Sequence, residues 1–143
     1  MKDRTAAIFS KMKEAGLKLT SQRRVIVQVL LENISLHPGA SLIYQKAKKK
    51  LKGISLSTVY YTLNELSRHG IIKMLEFDKM ENRCEGNFSH HLNLVCLGCG
   101  SILDYPTALP IASKKVERQM GFRPYDMRFE YYGYCKECLA RKK

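Results

Sequence analysis

The stretch Ser55-Leu56-Ser57-Thr58-Val59-Tyr60-Tyr61-Thr62-Leu63-Asn64-Glu65-Leu66-Ser67-Arg68-His69-Gly70, followed by Ile71–Phe77, decides how the first half of this chain folds. Ser57 offers a capping oxygen and Gly70 a natural stop, so a helix is expected from Ser57 to His69. At about 100° per residue, Val59, Leu63 and Leu66 share one face, which must look toward a core. Ser57, Tyr61, Asn64 and Arg68 share the opposite face, with Tyr60 and Ser67 on one flank and Thr58 and Glu65 on the other. Beyond Gly70, Ile71–Phe77 reads as a strand, Asp78–Asn82 as a polar turn and Arg83–Glu85 as the returning strand.

Upstream, Lys2–Ala15 carries Ala7, Ile8, Met12 and Ala15 at helical spacing and is stopped by Gly16. Thr20 can cap a second helix whose apolar face includes Val25, Val29 and Leu30. His37-Pro38-Gly39 interrupts the pattern, because proline lacks an amide hydrogen and disfavours helix just before it. Ser41–Leu51 resumes as a helix with Leu42, Ile43 and Ala47 facing inward, and Lys48, Lys49 and Lys50 suit the negative end of its dipole. Helices followed by a two-stranded hairpin form the winged helix-turn-helix pattern, in which the helix before the wing enters the DNA major groove. The exposed stripe of hydroxyl, amide and guanidinium groups suits base edges and phosphates. Asn64 can read adenine with two hydrogen bonds. An ordinary solvated helix face is the competing reading, and the adjacent rings of Tyr60 and Tyr61 weigh against it.

Charge points the same way. The 143 residues carry 25 Lys+Arg against 13 Asp+Glu, a net of +12. Residues 1–84 hold 16 and 7 of these, a net of +9, and residues 85–143 hold 9 and 6, a net of +3. A basic half makes a polyanion the first partner to consider, with nucleic acid ahead of mere solubility. The composition, 45% hydrophobic and 27% charged, excludes disordered and collagen-like classes. The best apolar run, Val25–Leu31, is broken by Gln28 and falls far short of the roughly 18 residues of a membrane span. Met1–Gly16 lacks the apolar core of a signal peptide, so a cytoplasmic protein with no membrane partner is expected.

The second half has another character. His91–Cys96 and Ser101–Tyr105 read as short strands, Thr107–Met120 as a helix ended by Gly121, and Phe122–Tyr134 as one longer strand. The expected class is therefore α+β: a winged-helix domain over residues 1–84 and a small α+β domain over 85–143. Cys96-Leu-Gly-Cys99 and Cys135-Lys-Glu-Cys138 lie 35 residues apart. Two such pairs complete a tetrahedral thiolate site for structural Zn²⁺. Disulfides are disfavoured in a reducing compartment. A thiol–disulfide enzyme with Cys84 as resolving thiol would need a β-α-β context that the pattern lacks, so no enzyme is expected and Cys84 reads as a packing residue of the wing. In the strand from His91, alternation puts His91 and Asn93 on one face. Asp104 and Glu85 can converge with them, whereas spacing alone does not join His37 to this group.

Several motifs together carry a resemblance: Leu19-Thr20-Ser21-Gln22-Arg23; His37-Pro38-Gly39-Ala40 with Ile43-Tyr44; Ser55-Leu56-Ser57-Thr58-Val59-Tyr60; Ser89-His90-His91 through Cys96-x-x-Cys99-Gly100 and Asp104; and Tyr132-Gly133-Tyr134-Cys135-x-x-Cys138. In this order they make the whole chain resemble the ferric uptake regulator family of metal-dependent repressors. The resemblance implies a winged helix that binds palindromic operators in double-stranded DNA and a C-terminal domain that forms the homodimer. The DNA contacts expected from the exposed helix face and the basic residues are Ser57, Thr58, Tyr60, Tyr61, Asn64, Arg68, Arg23 and Lys48–Lys50. Structural zinc falls on Cys96, Cys99, Cys135 and Cys138. A regulatory Fe²⁺ or Mn²⁺ falls on His37, Glu85, His91, Asn93 and Asp104, bridging the domains.

Asp104 is similar to the family's peroxide-responsive branch, in which an Fe²⁺ form reacts with hydrogen peroxide and oxygen is added to ligands corresponding to His37 and His91. Departures are equally plain. Glu85 stands where that branch has Asp, Asn93 where it has His, and Tyr61 where Arg is frequent. Ser89 and Met127 replace ligands of the family's auxiliary metal site. An amide oxygen is a harder and weaker donor than imidazole, which shifts preference toward Mn²⁺. His90 can substitute only if the strand bulges. The expectation is a peroxide-sensing repressor; the alternatives are a regulator of iron or manganese availability and an operator binder with a weakened regulatory site.

Overall fold

A computed structural model of the chain describes residues 2–86, 91–108 and 112–141. It divides into two compact units, Met1–Phe88 and Ser89–Lys143.

The first unit contains α1 (Lys2–Glu14), α2 (Ser21–Glu32), a single 3-10 turn (Ile34–Leu36), α3 (Ala40–Lys50) and α4 (Leu56–Arg68). The hairpin of β1 (Lys73–Leu75) and β2 (Arg83–Glu85) follows. Thr20 caps α2 by accepting the Arg23 amide. At α4 the cap is Ser55 rather than Ser57: the Ser55 hydroxyl accepts the Thr58 amide at 3.1 Å. Both serines stand ahead of the first apolar turn, and only Ser55 has the extended backbone an N-cap requires. Ser57 instead hydrogen-bonds its hydroxyl to that of Ser55.

Val59, Leu63 and Leu66 are buried in a core with Met12, Ile26, Val27, Leu30 and Ile43. Each fully buried aliphatic side chain of this kind contributes about 1.5–3 kcal/mol. Thr62 is buried as well, because its hydroxyl is satisfied by the Thr58 carbonyl at 2.8 Å. Gly70 adopts φ +63°, which lets its amide reach the Ser67 carbonyl and the Ile71 amide reach the Leu66 carbonyl. That end structure shortens the first wing strand. With the Ile71 and Ile72 amides both turned onto Leu66, the ladder cannot begin before Lys73.

In the second unit β3 (His91–Cys96) is the central strand, antiparallel to β4 (Ile102–Pro106) and parallel to β5 (Glu130–Gly133). Helices α5 (Ser113–Met120) and α6 (Lys136–Ala140) complete it. Two expectations are corrected here. Thr107 and Ala108 are not helical and α5 begins at Ser113. Pro110 opposes helical backbone in the residue before it, while residues 109–111 lie outside the described set. The aromatic run from Phe122 forms a strand only from Glu130. In the parallel register Asn93 faces Glu130, and the described part of β3 starts two residues earlier, so residues 122–127 find no partner on it. Among the described residues no helix is long and apolar enough to cross a membrane.

Candidate metal centres and nucleic-acid surface

Strand geometry assembles the four paired cysteines. Cys96 ends β3 opposite Gly133 of β5, and the parallel pairing brings Cys135 to the same end of the sheet. Cys99 follows in the turn toward β4, and Cys138 lies in α6. The four sulfurs lie within 4.8 Å of one another. Cys99 Sγ and Cys135 Sγ are 3.8 Å apart, matching the about 3.8 Å spacing that a tetrahedral ion with Zn–S bonds of about 2.3 Å imposes. Gly98 is needed for the approach, since a Cβ there would sit 2.8 Å from Cys138 Sγ.

The backbone N–H groups of Cys135 and Cys99 hold the Cys96 thiol down at about 6. The Ser101 hydroxyl and amide lower Cys99 too. At Cys135 the Cys138 amide favours the thiolate, but the Glu137 side chain, burial and the neighbouring sulfurs outweigh it and push the thiol up to about 12. A central divalent cation removes the repulsion among the four sulfurs, so the residues present fit a zinc ion.

Cys84 lies outside this set. It is fully buried in the wing, and its thiol reaches Met74 Sδ at 3.6 Å. Burial pushes it up to about 12, so almost none is thiolate at neutral pH. In folded, zinc-loaded protein at pH 8, a maleimide is expected to leave Cys84 unmodified. Peptide mapping should find it labelled only after denaturation; prompt labelling of the folded chain would contradict the buried assignment.

His37 and Glu85 meet within the first unit. His37 closes the 3-10 turn with φ +46° and ψ +65°, and among the described residues it is the non-glycine with positive φ. Histidine enters this left-handed region more readily than most residues, at a strain of about 1–3 kcal/mol. The hairpin holds the corner in place: the Pro38 carbonyl accepts the Cys84 amide at 3.0 Å and Gly39 bridges to Arg83. The buried ring then sets Nε2 3.3 Å from Glu85 Oε2.

Within the second unit, Asn93 and Asp104 are cross-strand partners, and His91 Nε2 lies 3.9 Å from Asp104 Oδ1. Asn93 Oδ1 is buried and has no hydrogen-bond partner among the described residues. Leaving such an oxygen unsatisfied costs about 1–3 kcal/mol, a deficit that a cation would remove. The sequence residues thus meet as His37 with Glu85 and as His91, Asn93 and Asp104. His90 and Ser89 lie outside the described residues, and Met127 is exposed.

Of the residues assigned to DNA, Ser57, Tyr60, Tyr61, Asn64 and Arg68 are exposed on α4, and Thr58 is half-buried beside the Ser55 hydroxyl. Arg23 donates to the Lys18 carbonyl at 3.0 Å and stacks 5.7 Å from the Tyr61 ring centre, which adds it to this surface. Arg68 pairs with Glu65 at 2.9 Å. The lysine run is unequal: Lys50 is engaged by both Glu32 carboxylate oxygens at 2.7 Å, Lys48 lies over the Tyr44 ring, and Lys49 is exposed.

Sequence reasoning missed Glu81. Its carboxylate accepts the Ser41 amide at 2.7 Å, the Tyr60 hydroxyl at 3.5 Å and an Arg83 N–H at 3.2 Å, joining wing, α3 and α4. The available signal was Gly39, a cap position with no side chain to serve α3, followed in sequence by a wing turn containing a carboxylate.

The ferric uptake regulator family model matches residues 14–132. The chain is 34% identical to the peroxide-responsive repressor PerR of Staphylococcus epidermidis, covering 91% of this chain and 87% of that one. It is 33% identical to the peroxide operon regulator of Bacillus subtilis, over 92% and 90%. Among solved structures, a zinc-bound manganese uptake regulator is similar at TM-score 0.67 and 32% identity, covering 90% of this chain and 98% of that one. The Helicobacter pylori ferric uptake regulator, described as having three functional metal-binding sites, is similar at TM-score 0.76 and 28% identity, over 96% and 93%. With the winged helix, the four-cysteine cluster and these matches in one chain, the protein belongs to the ferric uptake regulator family.

Proposed function

We propose that the chain is a metal-dependent repressor that binds a palindromic DNA operator as a homodimer and is released from it by hydrogen peroxide. The observation that carries this reading is the division of ligand-type side chains between the units. His37 and Glu85 lie in the DNA-binding unit, and His91, Asn93 and Asp104 in the other. A regulatory ion held by all five would tie the reading head to the dimerisation unit, while Zn²⁺ on Cys96, Cys99, Cys135 and Cys138 maintains the latter. Fe²⁺ held by these residues would supply one-electron chemistry toward hydrogen peroxide that Mn²⁺ would not. His37 and His91 would hold the ion through imidazole nitrogens, and oxygen added to either ring would weaken it as a donor and loosen the tie. Exposed Leu103, Tyr105, Phe122 and Tyr131 on the second unit support pairing of two copies through that unit.

The test is to treat Fe²⁺-loaded protein with peroxide and follow mass and operator affinity together. A gain of one oxygen on a peptide containing His37 or His91, with loss of binding, is expected. Unchanged mass and binding reject peroxide sensing and leave the repressor.

A second reading, control by manganese or iron availability, is favoured by Asn93. Asn93→His should tighten Mn²⁺ or Fe²⁺ binding about tenfold or more in a metal titration, because imidazole is the stronger donor. No change would remove Asn93 from the ligand set.

For DNA, Tyr60→Ala and Asn64→Ala are expected to weaken operator binding by about 1–3 kcal/mol each while leaving random DNA little affected. Lys48→Ala and Lys49→Ala should weaken both and each reduce the salt slope by about 1. Lys50, already neutralised by Glu32, should contribute less than either. Equal losses on operator and random DNA for Tyr60→Ala would contradict its place in the groove.

A further inference from the structure

We propose that the first unit contains a binding pocket for a small apolar monocarboxylate, walled by α1 and by Glu85, whose occupancy is linked to the regulatory metal. A cavity of about 200 Å³ lies between α1, the end of α2, the 3-10 turn and Ile71–Ile72. Its apolar lining includes Ile8, Leu30, Ile34 and Ile72. An apolar cavity of roughly 150 Å³ accepts a six-carbon ring, so this one suits an acid of about six to eight carbons.

Charge selects the head group. Arg4 and Lys11 both line the cavity. Their seven-residue separation on α1 places them two turns apart on the stripe that also carries Ile8. Two exposed cations at the rim of an apolar space match an anion with a hydrocarbon body. The Arg4 guanidinium donates to the Gly86 carbonyl at 3.1 Å, which pins that wall and leaves it further N–H groups for a carboxylate. Gly86 cannot carry a side chain here, because a Cβ would collide with Ile34.

Coupling follows from the remaining wall. Glu85 borders the cavity and faces His37 at 3.3 Å. Without a cation its charge opposes an anion in the pocket; with a divalent ion on Glu85 that opposition disappears. Metal and carboxylate therefore favour one another, by the same factor in each direction. This coupling rests on the proposed regulatory site, whereas the pocket itself does not.

The experiment titrates zinc-loaded full-length protein with benzoate and with benzyl alcohol, following the methyl signals of Ile8, Ile34 and Ile72 by NMR. Benzoate should give saturable shifts and bind about tenfold more tightly than the alcohol, a difference of about 1.4 kcal/mol. The shifts should vanish in Ala7→Leu, which fills the space, and weaken to the alcohol's level in Arg4→Gln/Lys11→Gln; circular dichroism checks that both variants fold. Equal binding of acid and alcohol, or no saturable shift at millimolar benzoate, overturns the pocket. For the coupling, saturating benzoate should tighten Mn²⁺ binding about fivefold in the natural chain and leave it unchanged in Arg4→Gln/Lys11→Gln. An unchanged Mn²⁺ affinity in the natural chain overturns the linkage. Failure of Mn²⁺ to bind at all sinks the regulatory site, and the methyl shifts still decide the pocket.

Discussion

Cys138→Ser, or stripping zinc with a strong chelator, is expected to unfold the second unit while α4 and its core stay folded. The described part of that unit buries few apolar side chains: Leu92, Val95, Cys96 and Ile102. The first unit encloses a continuous core from Met12 to Cys84. A sheet resting on so little buried area cannot repay its ordering entropy from packing alone. Structural Zn²⁺ contributes about 10–16 kcal/mol of apparent binding free energy at neutral pH, most of it available as folding free energy. Hydrogen exchange resolved by segment is the direct measurement. Amides of β3, β4 and β5 should lose protection while those of α4 keep theirs, and zinc content should fall from one ion per chain. Persistent protection in β3 would mean that the sheet stands without the ion.

His37→Asn should leave the chain folded and lower Mn²⁺ affinity by about 100-fold, carrying metal-dependent operator binding with it. Asparagine also tolerates the left-handed backbone that position 37 requires, and it retains a polar group for Glu85, so the fold is spared. What it lacks is the imidazole. Melting temperature and metal affinity should therefore separate. If operator affinity still rises with Mn²⁺ as in the natural chain, the regulatory site is vestigial or lies elsewhere.

Legibility in the sequence followed the strength of local signals. Helix α4 was visible because Val59, Leu63 and Leu66 repeat at the helical period, and burial alone enforces that period. Its cap was misplaced by two residues because Ser55 and Ser57 are chemically equivalent, and only the backbone entering the helix distinguishes them. The zinc set was legible because a C-x-x-C pair must meet its ion within one turn. Spacing could not join His37 to Glu85, since their approach depends on the hairpin closing over Pro38 and Gly39, a contact between residues 48 apart. The overlong strand from Phe122 came from composition: aromatics favour strands, yet a strand also needs a neighbour, and the register of β3 supplies one only near Glu130.

The parallel pairing of β3 with β5 has a consequence for how this chain can vary. An ion gripping both C-x-x-C pairs closes the 35 residues between Cys99 and Cys135 into a loop. Closure entropy grows only with the logarithm of loop length, about 0.6 kcal/mol for each doubling. Lengthening the irregular stretch between Gly121 and Phe129 would thus be nearly free, whereas one extra residue between Cys135 and Cys138 would displace a ligand. Insertions and deletions can accumulate between the two pairs, and the spacing inside each pair cannot drift.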